Sequence, residues 1–180
     1  MPFSKKRIYK ICIVGDGGVG KTTILHQYVD GKFIENTQMT IGINFFVKYI
    51  FLKEFGSKII LQVWDLGGQE HFSSVRPSFY EGASGIIYTY DLTRRVTFDN
   101  LTKWQKEISR ILNGKTPCVL IGNKLDLIDD IKRQIFPKDV QNLRTKIIFT
   151  EYFETSAKEN VGIEKAFYKI TKTIYESFHN

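Results

Sequence analysis

Cysteine, proline, tryptophan and histidine are all scarce in this 180-residue chain, at two, four, two and three copies. Cys12 and Cys118 each sit inside an apolar run. That placement excludes a disulfide-framed fold and points to two reduced core residues. His26, His71 and His179 are scattered along the chain and, with only two cysteines, offer no zinc-ligand spacing. There is no repeat, no low-complexity tract and no Pro/Gly/Ser-rich linker. A chain of this length buries about 70% of its unfolded surface in one core, so a single domain over residues 1–180 is expected. No apolar run reaches 18 residues and no signal peptide opens the chain, so a cytoplasmic protein is expected. The net charge is +7, but the lysines are spread out. The one basic cluster, Lys5-Lys6-Arg7 with Lys10, reads as solvated or as a peripheral contact with anionic lipid, not as a nucleic-acid interface.

Residues 15–22 read Gly-Asp-Gly-Gly-Val-Gly-Lys-Thr, between a β-branched run at 8–14 and a stretch of helical spacing from Thr23 to Val29. Strand, glycine loop and helix in that order form a phosphate cradle. The glycines let successive N–H groups turn inward on a polyphosphate, and the helix adds its positive N-terminal end. Lys21 is expected on the β- and γ-phosphates and the Thr22 hydroxyl on Mg²⁺. Asp16, Gly17, Gly18, Val19, Gly20 and Thr23 complete the contact set.

Asn123-Lys124-Leu125-Asp126 follows the strand-like run 117–121. A carboxylate there accepts the N1–H and 2-amino groups of guanine, whereas adenine would leave it unpaired, a mismatch that discriminates strongly. Asp126 is therefore the expected base reader. Lys124 is expected over the base plane, and Asn123 is expected to tie loops together. Asp65-Leu66-Gly67-Gly68-Gln69-Glu70 ends a third strand pattern, and ligands in open α/β sheets lie beyond such strand ends. Asp65 suits water-mediated Mg²⁺ binding, Gly68 an amide contact to the γ-phosphate, and Gln69 the orientation of an attacking water. In Glu154-Thr155-Ser156-Ala157-Lys158, the Ala157 amide is placed at the guanine O6, with Ser156 and Lys158 beside it.

From Lys5 to Phe178, with these motifs in order, the chain resembles a Ras-superfamily small GTPase, and within that group a Rab. Thr40-Ile41-Gly42-Ile43-Asn44-Phe45, the Trp64–Phe72 block, Phe79-Tyr80-Glu81-Gly82-Ala83 and Thr97-Phe98-Asp99-Asn100-Leu101 leading to Trp104 carry the Rab flavour. The resemblance implies an α/β P-loop NTPase fold with a six-stranded sheet in the order 2-3-1-4-5-6. The sheet is mostly parallel with one antiparallel hairpin strand, and helices cover both faces. Strands are expected near 8–14, 43–52, 58–65, 85–91, 117–122 and 151–154. Helices are expected near 20–30, 70–80, 95–112, 137–145 and 162–178.

The resemblance also implies a second Mg²⁺ ligand at Thr40, an aromatic against the guanine at Phe33, and effector-facing Ile41, Phe45, Trp64 and Phe79. Gln69, Lys21 and Gly68 become the catalytic set for slow GTP hydrolysis to GDP. No arginine falls between Lys32 and Gln69, so acceleration by a GTPase-activating protein is expected. An exchange factor and effectors complete the implied partners, with the chain itself a monomer. A GTP-binding interaction module with little hydrolysis, and a P-loop ATPase or nucleotide kinase, are the alternatives.

Departures from the Rab pattern are specific. The chain ends Tyr175-Glu176-Ser177-Phe178-His179-Asn180 without a cysteine; either a lipidated tail has been removed or the protein is not prenylated, and any membrane contact is expected to be peripheral. Gly67 gives residues 65–69, the segment the resemblance makes switch II, a double glycine, expected to loosen it in the GDP form. Thr37 replaces a tyrosine over the phosphates, and Glu81 and His71 replace basic residues.

Overall fold

The computed structural model describes residues 7–35, 39–69, 72–128 and 133–179. Lys5, Lys6, Thr37, Glu70 and His71, singled out above, lie outside the described residues. The elements run β1 (Arg7–Val14), α1 (Lys21–Asp30), β2 (Ile43–Leu52), β3 (Ser57–Leu66), α2 (Arg76–Tyr80), β4 (Gly85–Asp91), α3 (Arg95–Asp99), α4 (Leu101–Ile108), β5 (Cys118–Asn123), α5 (Pro137–Leu143), β6 (Glu151–Glu154) and α6 (Ile163–Ser177).

The strands form one sheet in the order β2-β3-β1-β4-β5-β6. Only β2 and β3 pair antiparallel; the other neighbours are parallel. The residues between β2 and β3 are too few for a crossover and make a tight hairpin instead. One 3₁₀ turn (Lys53–Phe55) closes on Gly56, whose φ of 55° favours glycine.

Burial follows strand position. All seven residues of β4 are buried, as an interior parallel strand covered on both faces requires. Edge strand β2 alternates instead. Phe45, Val47, Tyr49 and Phe51 are exposed, while Phe46 packs on the core and Ile50 and Leu52 are buried. Adjacent Phe45 and Phe46 thus face opposite sides of the sheet.

Two apolar layers sandwich the sheet. On one face α1 and α6 supply Ile24, Leu25, Tyr28, Phe167, Ile170 and Ile174. The spacing of Ile163, Ala166, Phe167, Ile170 and Ile174 gives α6 a single buried stripe. Tyr28 stacks on Phe167 with ring centroids 4.0 Å apart. Gly85 lets α6 approach β4 closely, since a Cβ there would lie 2.8 Å from Ile174 Cδ1. On the other face Tyr80, Phe98, Leu101, Trp104, Ile108 and Val140 cover Cys12, Val14, Tyr88 and Leu120.

Two expected helices are shorter than their sequence pattern. The helix expected over 70–80 is regular only from Arg76, because Pro77 in its first turn lacks the N–H an interior position must donate. The helix expected over 95–112 divides at Asn100 into α3 and α4 and loses its regular ladder after Ile108. Asparagine is a poor helix interior residue, and the Asn100 side chain is turned to Asp16 at 2.7 Å. Cys12 is fully buried, but Cys118 is only half-buried at the start of β5. Burial pushes both thiols up to about 12, which keeps them protonated at neutral pH.

Parallel pairing brings one end of the strands together. Ile13 lies opposite Asp65, Asp91 opposite Asn123, and Gly122 opposite Glu154. The loops after β1, β3, β4, β5 and β6 therefore share the carboxyl edge of the sheet.

Candidate functional site

The loop after β1 bends over this edge. Gly15 passes so near β4 that a Cβ would lie 2.0 Å from Thr89 O, and Gly18 and Gly20 adopt φ of 73° and 96°. Gly20 caps α1 without a side-chain hydrogen bond, and the first turn holds no acidic residue. The leading N–H groups of the helix are thus available to an anion. Lys21 is 5% exposed. Its Nζ donates to Gly15 O at 2.7 Å and Asp16 O at 3.0 Å. Burial pulls its pKa down to about 8, against the opposing pull of Asp65 and Asp16. A buried ammonium resting on carbonyls beside an uncapped helix start fits a phosphate chain.

Three oxygens meet at the other side of Lys21. Thr22 Oγ1 donates to Asp65 Oδ2 at 2.5 Å and lies 2.6 Å from Thr40 Oγ1. Asn44 Nδ2 donates to the same carboxylate oxygen at 3.4 Å. Asp65 is fully buried, and its Oδ1 has no hydrogen-bond partner among the described residues. Burial raises its pKa despite the hydrogen bond from Thr22 and the charge of Lys21. An orphaned buried carboxylate oxygen next to two hydroxyls is a donor set that fits a hard cation such as Mg²⁺, taken directly or through its water.

Gly68 is packed onto the phosphate loop. A Cβ there would lie 2.4 Å from Gly17 N and 2.5 Å from Asp16 C. Gly17, Gly18, Gly20, Lys21, Thr22, Thr23, Met39, Thr40, Gly68 and Gln69 line one end of the cleft. Gly67 N donates to Gly42 O at 3.0 Å. A Cβ on Gly67 would lie 2.9 Å from that oxygen and 3.1 Å from Thr40 O. Gly67 is thus a contact residue between the two loops, a role its conformational freedom alone did not suggest.

The cleft continues past Gly18, Gly20 and Thr23 into a cavity of about 380 Å³ lined by Phe33, Asn123, Lys124, Asp126, Ala157 and Lys158. Asn123 Nδ2 donates to Val19 O at 2.9 Å, while Asn123 Oδ1 accepts from Thr155 Oγ1 at 3.0 Å. Ser156 Oγ donates to Asp126 Oδ1 at 2.6 Å, and Ala157 is buried. Lys124 has φ of 69°, and its Nζ pairs with Asp91 Oδ2 at 2.8 Å.

A match to the family model described as Ras family covers residues 10–176. The chain belongs to the Ras family. Among relatives, "Ras-related protein Rab-10" of Diplobatis ommata is 41% identical over 170 residues, covering 94% of this chain and 82% of that protein. "Ras-related protein Rab-12" of Homo sapiens is 37% identical over 165 residues; the match covers 92% of this chain and spans 66% of that protein. "Ras-related protein Rab7" of Pisum sativum is 37% identical over 182 residues, covering 98% of this chain and 87% of that protein. Ras family members are GTP hydrolases that bind GTP and GDP with Mg²⁺, and the fold described above is that of a small G domain. No helix among the described residues is long and apolar enough to cross a membrane.

In this Ras-family chain the aromatic residues read as partner-facing form a patch beside the cleft. Phe45 and Trp64 are Cα partners across the hairpin with ring centroids 5.1 Å apart, and Phe79 follows at 5.6 Å. Phe45 is 49% exposed and Ile41 84% exposed, whereas Trp64 and Phe79 are half-buried.

Arg76, Glu107, Asp91 and Arg94 escaped the sequence reading, as did the partners of the Asp16 side chain. Asp16 accepts from Trp104 Nε1 at 2.8 Å as well as from Asn100. Arg76 is bidentate to Glu107 at 2.9 and 2.8 Å and donates to Gln69 O at 2.8 Å. Its guanidinium also lies over the Trp104 ring, 4.4 Å from the centroid. Asp91 and Arg94 stand between the phosphate loop and Lys124. The strand-end position of Asp91, equivalent to those of Asp65 and Asn123, was the signal that could have found it.

Proposed function

We propose that this chain is a Rab-like GTP-hydrolysing switch acting in membrane traffic or related signalling. The observation that carries the reading is one continuous cleft. Its phosphate end holds Lys21, Thr22, Thr40 and Gly68, and its far end holds Asp126 and Ala157. Asp126 accepts the guanine donors, with Phe33 and the Lys124 stem flanking the base and the Ala157 amide at its carbonyl. The amides of Gly17 to Lys21 and the Lys21 ammonium hold the phosphates. Thr22 and Thr40 would hold Mg²⁺, with Asp65 reaching it through water, and the bound ion would neutralise charge on the phosphates. Gln69 orients the water, and the Gly68 amide stabilises the charge that develops on the transferring group.

Loss of the terminal phosphate removes the ligand that Thr40 and Gly68 share. Their two loops then separate, and the Ile41, Phe45, Trp64 and Phe79 surface changes with them. An effector reads that change; an exchange factor and a GTPase-activating protein reset and speed it. A supplied arginine accelerates such reactions by about 10³–10⁵-fold. The chain is proposed to act as a monomer on the cytosolic side, touching membranes peripherally.

Nucleotide extraction from purified protein, then single-turnover hydrolysis of GTP with and without Mg²⁺, tests the reading. Bound guanine nucleotide and slow, Mg²⁺-dependent phosphate release are expected. Stable GTP binding without turnover would replace the hydrolase with a binding module.

A further inference from the structure

Asp91 closes β4 with a side chain only 1% exposed. Its Oδ1 accepts from Thr93 N at 2.9 Å and Thr93 Oγ1 at 2.6 Å. Its Oδ2 takes two cations, Arg94 Nε at 2.9 Å and Lys124 Nζ at 2.8 Å. Burial opposes ionisation of this carboxyl, but the hydrogen bonds from Lys124 and Thr93 outweigh it and hold the pKa below the usual carboxylate value. Arg94 then reaches on, donating Nη2 to Gly17 O at 3.1 Å. Its guanidinium lies 3.6 Å from the point a Gly18 Cβ would occupy. One buried carboxylate therefore joins the base-reading loop, through Lys124, to the outer side of the phosphate loop, through Arg94.

We propose that Asp91 and Arg94 form a clasp that sets how long a guanine nucleotide stays bound. They are positioning residues, acting through Gly17 and Lys124 rather than on the nucleotide itself. The inference rests on the reading that these two loops grip the phosphates and the base. A bound nucleotide spans both loops, so its release is eased by anything that lets them part. The Asn123 bond to Val19 O is one tie between them. The Lys124–Asp91–Arg94–Gly17 path is a second, and it is built of charge-assisted bonds. Arginine is required because its planar fork offers Nε to Asp91 and Nη2 to Gly17 in one fixed arrangement; a lysine ammonium is a single point that cannot sit at both.

The test is the release of a fluorescent GDP from the full chain during a chase with excess unlabelled GDP, together with its association rate. Arg94→Ala is expected to raise the release rate about tenfold, a change of about 1.4 kcal/mol, with the association rate within about twofold. Arg94→Lys is expected to recover little of the loss. Asp91→Asn should release at least as fast as Arg94→Ala, and the double variant no faster than Asp91→Asn, because both substitutions open the same path.

Failure of the parent chain to bind labelled GDP overturns the nucleotide reading and the clasp together. A parent that binds, with an unchanged release rate in Arg94→Ala, overturns the clasp alone. Full rescue by lysine, additive effects in the double variant, or an association rate that falls as far as release rises would each show general loosening and reject it.

Discussion

The Thr22 hydroxyl donates to Asp65 at 2.5 Å, a bond that spans 43 residues of sequence and joins the first turn of α1 to the end of β3. The same hydroxyl meets Thr40 at 2.6 Å, so one oxygen sees both the helix that starts the site and the loop proposed to sense the terminal phosphate. Asparagine at position 22 would put a bulkier amide against a buried carboxylate. Thr22→Asn is expected to weaken Mg²⁺-dependent GTP binding by tenfold or more, about 1.4 kcal/mol, and GDP binding less. Titration of both nucleotides with and without Mg²⁺ checks this; equal losses would remove Thr22 from the metal role.

Asp126 is held by Ser156 Oγ at 2.6 Å and faces the larger part of the cleft. Converting it to asparagine replaces one acceptor oxygen by a donor. Asp126→Asn should lower GDP affinity by about 10²-fold or more and raise relative affinity for xanthosine diphosphate, whose base presents a carbonyl in place of the 2-amino group. Competition binding decides it, and an unchanged base preference would place guanine recognition elsewhere.

Gln69 lies beside Gly17, Thr40 and Gly68 at the phosphate end. Gln69→Leu should leave GTP affinity within about twofold and slow single-turnover hydrolysis by about tenfold or more, because leucine cannot orient water. Gly68→Ala is expected to bind nucleotide but fail to close, since its Cβ would collide with Gly17 N. Phosphate release measured beside nucleotide affinity separates the two effects.

Arg76 and Glu107 carry a pH-dependent part of the stability. Burial works against ionisation of Glu107, but Arg76 and Tyr80 outweigh it and hold its carboxyl below the usual value of 4.5. A depressed carboxyl contributes stability above its unfolded pKa and loses it as pH falls through the folded one. Arg76→Met is therefore expected to cost about 3 kcal/mol at pH 7, the low end for a buried pair, because Glu107 keeps 20% exposure. That cost should shrink in acid, as pH falls below 4.5 and through the depressed folded pKa of Glu107. Urea melts at pH 7 and in acid check the sign; a pH-independent cost would point to lost packing on Trp104 instead.

Ile170 is fully buried on the stripe of α6 that covers β4 and β5. Ile170→Ala should cost about 2–5 kcal/mol and lower the melting temperature without altering base preference. A change in base preference would mean that α6 shapes the cleft.

The strands were legible because β-branched and aromatic runs carry their own signal and the short β2–β3 connection allows only a hairpin. Helix extents were less so: Pro77 and Asn100 act through single backbone positions that an apolar spacing does not register. Local motifs pointed to Lys21, Gln69 and Asp126, and all three line the cleft. Contacts across the fold had no such signature. Arg76 meets Glu107 over 31 residues and Arg94 meets Gly17 over 77, pairings that exist only once β1, β4 and α4 are laid side by side. Gly67 shows the same limit, since its sequence suggests freedom whereas its surroundings demand the space a side chain would fill.

Both tryptophans of the chain stand at moving parts of the proposed cycle. Trp104 gives its indole N–H to Asp16, inside the phosphate loop, and lies under the Arg76 guanidinium. Trp64 is set between Phe45 and Phe79. Excited at the red edge, where the nine tyrosines do not absorb, an unlabelled sample therefore reports from two indoles, one beside the phosphate loop and one in the Phe45–Phe79 patch. Replacing either with phenylalanine leaves a single-colour optical readout of nucleotide exchange or of partner docking.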